Sequence, residues 1–66
     1  MKPDWKNAPE WANYLAMDTD SSWWWFEKQP YWDNGEWDEP SMTGRILSAS
    51  RETVIPNASL TMEKRP

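Results

Sequence analysis

The sequence predicts a small α+β domain, in which a short N-terminal helix packs on a three-stranded antiparallel β-sheet. Three observations carry this reading. Asn7-Ala8-Pro9-Glu10 has the pattern of a helix start, Tyr14 to Lys28 holds two β-prone runs separated by Thr19-Asp20-Ser21, and Thr43 to Ala49 supplies a third β-prone run. Residues 1–6 read as a flexible N-terminal arm, 7–50 as the Trp-rich domain, and 51–66 as a partly disordered C-terminal extension.

Each element has a local reason. Asn7 can cap, Pro9 fits a first helical turn, and Glu10 stands three residues after the cap, as in a capping box. Trp11, Ala12, Tyr14 and Leu15 would form the apolar side of one or two turns. Tyr14–Asp18 and Ser22–Lys28 then form a hairpin, because aromatic residues favour the pleated conformation. Pro30 ends the second strand, since proline cannot donate to a ladder. Residues 29–40 form an acidic aromatic loop whose turn signal is Asn34-Gly35. Thr53-Val54-Ile55 offers a short additional strand, and Glu63-Lys64-Arg65-Pro66 reads as a frayed tail. Residues 60–66 are expected to be mobile and dispensable for folding.

Seven of the 66 residues are tryptophan, and Trp23-Trp24-Trp25 is followed directly by Phe26. A chain of this size buries only about 60% of its unfolded surface. Alternate residues of a strand also point to opposite faces. Both faces of the second strand are aromatic, so periodicity does not choose the core face. The preferred arrangement puts Trp24 and Phe26 inside with Leu15 and Met17. Trp23 and Trp25 then face outward beside Tyr14 and Ala16. Exposed aromatic surface of this kind marks a contact site. The expected partner-binding residues are Trp23, Trp25, Glu27, Trp32, Asp33, Glu36, Trp37 and Asp38.

The net charge is −4, but it is unevenly spread. From Asp4 to Glu39 nine acidic residues oppose Lys6 and Lys28, giving −7; from Pro40 onward two acidic residues oppose four basic ones, giving +2, and Lys2 adds +1. The Trp-rich half is the acidic half. Such a surface repels nucleic-acid phosphates and favours basic partners, or serves to keep aromatic surface soluble. The chain has no cysteine and no histidine, which removes disulfides, thiolate metal sites and the commonest general base. No stretch approaches the roughly 20 apolar residues of a membrane-spanning helix, and the first residues have no apolar run of a signal peptide. A cytoplasmic location is expected.

The catalytic and metal motifs are incomplete. Asp18-x-Asp20-x-Ser22 has the alternating oxygens of a calcium loop, but no glycine follows at the sixth position and Gln29 stands at the twelfth. Glu27 with Asp33 or Glu36 resembles a glycosidase pair, yet so small a domain gives little scaffold for a deep cleft. Asn57-Ala58-Ser59 matches a glycosylation acceptor that only a secretory route would use. The expectation is no catalytic residue, no cofactor and no metal.

Ala8-Pro9-Glu10-Trp11, the Trp23–Phe26 aromatics and Trp37-Asp38-Glu39-Pro40 resemble a WW domain, a three-stranded sheet that grips proline-rich peptides. The Trp11–Trp37 spacing is longer than that family's, and Glu27 stands where its asparagine belongs. A second resemblance covers residues 5–45. Trp5, Ala8-Pro9-Glu10-Trp11-Ala12, Tyr14-Leu15-Ala16, Asp18, Asp20, Trp23-Trp24-Trp25-Phe26-Glu27 and Gly44-Arg45 are similar to short Trp-rich uncharacterised proteins of tailed bacteriophages and prophages. Where that group has Asp-Gly in the turn, this chain has Asp20-Ser21. The resemblance implies a phage protein acting in the host cytoplasm. The expected function is non-catalytic binding that inhibits or redirects a host protein, counter-defence being its sharpest form. An acidic DNA mimic, a proline-rich peptide adaptor and a phage accessory protein are the alternatives. Direct nucleic-acid binding and membrane association are not expected, and the sequence leaves the oligomeric state open.

Overall fold

A computed structural model describes residues 2–39, 43–51 and 57–66. The described chain is mostly β. It contains β1 (Tyr14–Met17), β2 (Ser22–Phe26), β3 (Tyr31–Asp33), β4 (Glu36–Asp38), β5 (Ile46–Arg51) and β6 (Glu63–Lys64). Two single 3-10 turns, Trp5–Asn7 and Ala58–Leu60, complete it. The strands form two antiparallel sheets, a four-stranded one in the order β5-β2-β1-β6 and the β3–β4 hairpin.

The expected α+β architecture is therefore corrected to an all-β one, with no α-helix among the described residues. Asn7 does not cap a helix. Asp4 caps the 3-10 turn instead, its carboxylate accepting from the Lys6 N–H at 3.0 Å. A helix of one or two turns is marginal in water, and here it competes with strand pairing by Tyr14 and Leu15. The irregular segment before β1 finds other partners for its backbone. The Arg65 guanidinium donates to the carbonyls of Pro9 at 3.0 Å and Ala12 at 2.6 Å. Carbonyls that a helix would have satisfied internally are thus satisfied from the C-terminal segment.

The expected core face of β2 is corrected in part: Trp23 and Trp25, expected outside, are buried, while Phe26 is buried as expected. The Asp18 N–H donates to the Ser22 carbonyl at 3.0 Å, which closes the turn and sets Met17 opposite Trp23 and Leu15 opposite Trp25. Directly opposed residues share a face, and a one-residue slip exchanges the faces. Trp23 and Trp25 are consequently buried with Leu15, Met17, Ala12 and Ala58. Trp5, Ala8, Trp11, Trp32 and Ala49 pack around this cluster, with the Trp5 and Trp25 ring centroids 5.0 Å apart. Tyr14, Ala16, Trp24 and Phe26 share the other face. Phe26 is fully buried there and Trp24 half-buried, so neither side of β2 is an open aromatic surface.

The end of the chain belongs to the sheet. Glu63 and Lys64 pair with Leu15 and Tyr14, and the Thr61 hydroxyl accepts from the Met17 N–H at 2.9 Å. Glu63 accepts hydrogen bonds from the Trp5 indole at 2.5 Å and from Lys2 at 2.7 Å, fastening the N-terminal arm to β6. Leu60 is exposed. The expected strand over Thr53-Val54-Ile55 lies outside the described residues.

Candidate functional site

The β3–β4 hairpin is built on Asn34-Gly35, whose φ angles of 49° and 99° are both positive. Two successive positive φ values give the turn whose twist matches paired strands, and Asn-Gly is the pair that adopts it most readily. Period-2 alternation then sorts the side chains. Trp32 lies opposite Trp37 on one face, while Tyr31 opposite Asp38 and Asp33 opposite Glu36 form the other.

The indole face turns inward. The Trp32 and Trp37 rings meet edge-on with centroids 5.4 Å apart, Trp32 packs on the core cluster, and the Trp37 Nε1–H donates to the Ala58 carbonyl at 3.1 Å. The hairpin is held at the β1–β2 turn by further bonds. The Trp37 N–H donates to the Asp18 carboxylate at 2.8 Å, and the Thr19 N–H and hydroxyl both donate to the Gly35 carbonyl. These contacts fix the outer face on a body whose aromatic rings are already packed.

That outer face presents Tyr31, 47% exposed, among Asp33, Glu36 and Asp38. Asp33 and Glu36 are exposed and Asp38 is half-buried. Among the described residues no basic side chain pairs with these three carboxylates. Like charges directly opposite on a hairpin are destabilising, so the Asp33–Glu36 pair is a local cost. Asp18 lies behind them. Burial pushes its carboxyl above the usual range; the Trp37 N–H acts in the opposite sense, and Asp20, Glu36 and Asp38 add to the rise.

The expected site residues thus divide into three groups. Trp32, Asp33, Glu36, Trp37 and Asp38 come together on one hairpin, with the half-buried indoles on one face and the carboxylates on the other. Trp23 and Trp25 lie in the core. Glu27 is engaged elsewhere. The Arg45 guanidinium donates to it through Nη2 at 3.0 Å and Nε at 3.3 Å, and also lies 5.3 Å from the centre of the Trp11 ring. Those hydrogen bonds from Arg45 hold the Glu27 carboxyl below its usual range. Tyr31 was absent from the expected set, although counting alternate residues outward from Asn34-Gly35 places it beside Asp33 and Asp38.

The residues of the incomplete calcium pattern serve the turn. Asp18 accepts from Trp37, and Asp20 accepts from the Ser22 N–H and hydroxyl. Among the described residues no group of three or more histidine, cysteine or carboxylate side chains is placed to hold a metal ion. An open groove of about 480 Å³ lies at the other end of the sheet, beside Tyr14, Lys28, Lys64 and Arg65. Two of its cations already have partners, since Arg65 holds the carbonyls before β1 and Lys28 donates to the Thr43 hydroxyl. No helix among the described residues is long and apolar enough to cross a membrane.

No protein-family model, curated protein or solved structure matches this chain.

Proposed function

We propose that this is a non-catalytic binding protein whose contact face is the outer side of the β3–β4 hairpin. The observation that carries the reading is Tyr31, exposed among the carboxylates of Asp33, Glu36 and Asp38 on a hairpin anchored by its own indoles. Tyrosine supplies contact area with little rotamer entropy to lose, and a ring of carboxylates steers and selects a basic partner. The Asp33–Glu36 opposition would be relieved by cationic side chains on that partner. Following the resemblance to phage proteins, the partner is a host protein that is inhibited or redirected in the cytoplasm. Trp25, expected among the contact residues, is inside the core, so Tyr31 is the exposed aromatic of this face.

A DNA mimic is the second reading, and the same unpaired carboxylates favour it. Affinity capture from bacterial lysate with the wild type, Tyr31→Ala and an Asp33→Asn/Glu36→Gln/Asp38→Asn variant tests both. The proposal requires a protein retained by the wild type and lost with Tyr31→Ala. Retention lost only with the carboxylate variant would establish the mimic, and equal retention by all three would exclude this face as the contact.

A further inference from the structure

The two edges of the four-stranded sheet are unlike. β6 is two residues long and carries Lys64, which are ordinary means of blunting an edge. β5 is six residues long and has no proline, and among the described residues no strand pairs with its outer side. It carries Ile46 at 46% and Leu47 at 49% exposure.

Antiparallel geometry decides which backbone groups this edge offers. The Glu27 N–H donates to the Arg45 carbonyl at 2.9 Å, so Arg45 turns its hydrogen-bonding groups toward β2. Alternate residues of a strand point these groups to alternate sides. Leu47, opposite Trp25, therefore also bonds inward, while Ile46 and Ser48 point their N–H and C=O outward. Trp24 lies opposite Ser48 and Trp23 opposite Ser50, so Ala49 is an extra, bulged residue that ends the regular run. The usable edge is centred on 46–48.

We propose that this edge pairs antiparallel with the same edge of a second copy, about a two-fold axis through Leu47. Hydrogen-bonded pairs then form between Ile46 and Ser48 of the second copy, and between Ser48 and Ile46 of the second copy. These are the outward-pointing residues. Leu47 faces its own counterpart as a non-hydrogen-bonded pair, the closer of the two pair types. Arg45 falls opposite Ala49. Moving the axis to Ser48 keeps the hydrogen-bond parity but sets Arg45 opposite Arg51 of the second copy and runs the pairing through the bulge. Moving it to Ile46 places Leu47 against Arg45. The Leu47-centred register places an apolar pair at the close, non-hydrogen-bonded position and sets no arginine directly opposite an arginine or a leucine.

The charge distribution agrees with a second copy. Residues 43–51 include Arg45 and Arg51 and no carboxylate, although the chain as a whole carries −4. Two acidic molecules would meet through their least acidic segments. A contact of one strand pair is smaller than the roughly 1,200–2,000 Å² of a standard stable interface, so the dimer is weak and depends on concentration.

Sedimentation equilibrium of the full chain, from about 10 μM to about 1 mM, tests the proposal, these limits spanning weak affinities. The average mass is expected to rise above the monomer value of 7.9 kDa toward twice that figure. Leu47→Lys should raise the dissociation constant at least about tenfold by charge repulsion across the axis. Ser48→Pro, which deletes an outward N–H, should do the same with an unchanged circular dichroism spectrum. If Ser48→Pro fails to fold, Leu47→Lys alone decides. A mass fixed at the monomer value throughout, or a dimer unaffected by Leu47→Lys, overturns the proposal.

Discussion

Leu15 lies directly opposite Trp25 in the β1–β2 ladder, and both side chains are in the core. This register defines which half of the Trp23–Phe26 block carries the core cluster. Trp25→Ala should cost about 3–5 kcal/mol, as large-to-small changes of a buried aromatic do. Trp24→Ala should cost less, because Trp24 is only half-buried. Urea denaturation of the two variants measures the order directly.

Ser21 holds a φ of 71° in the β1–β2 turn, the left-handed region that a side chain disfavours. Ser21→Gly removes that penalty of about 1–2 kcal/mol and adds a smaller entropic cost in the unfolded chain. A net gain of about 0.5–1 kcal/mol is expected from the difference of these terms. Thermal unfolding monitored by tryptophan fluorescence would show it as a higher Tm.

Arg65 connects the last strand to the segment before β1. Its guanidinium donates to Pro9 and Ala12 and lies 5.6 Å from the centre of the Trp5 ring. Arg65→Ala should destabilise by about 2 kcal/mol, the scale of losing hydrogen bonds to a charged group. Arg65→Lys should recover little, since an ammonium lacks the planar fork. Backbone order parameters of residues 63–65 should match those of β1 in the wild type and fall in Arg65→Ala.

Asp18, Glu27 and Glu63 give stability a pH dependence with opposing signs. Glu27 is lowered by hydrogen bonds from Arg45; for Glu63, burial opposes the lowering but hydrogen bonds from Lys2 and Trp5 outweigh it. Their contributions are present above the ordinary glutamate range and are lost as pH falls through their lowered folded values. Asp18 is raised, so the unfolded state releases its proton first. Its ionisation therefore costs stability as pH rises from the ordinary aspartate value to the folded one. Asp18→Asn keeps an oxygen to accept from the Trp37 N–H and removes the charge. The variant should have a higher Tm than the wild type at pH 7, and the difference should vanish in acid.

The sequence showed the strand positions better than it showed their surroundings. The β1–β2 runs and the Asn34-Gly35 turn were legible because aromatic runs and positive-φ turns are local signals. The three-residue strands on either side of that turn were not, being too short to display a period. Asn7-Ala8-Pro9-Glu10 has real helix-start chemistry, but local propensity lost to the pairing of Tyr14 and Leu15 with β2 and to distant Arg65. The core face depended on register, which the Asp18–Ser22 closure sets and the composition of two aromatic faces conceals. The carboxylates of the candidate site were visible as a charge cluster. Tyr31 joins them by alternate counting from Asn34-Gly35, once the residues flanking that turn are taken as strands rather than as loop.

The most direct test of the proposed contact face is the affinity of the captured partner for two variants at low and high salt. Binding energy concentrates in aromatic anchors, whereas rim charges act on encounter rate and are screened by salt. Tyr31→Ala should lose at least about 2 kcal/mol of affinity at both salt concentrations. The Asp33→Asn/Glu36→Gln/Asp38→Asn variant should mainly slow association, with an effect that shrinks in high salt. Unchanged affinity in Tyr31→Ala would contradict the account.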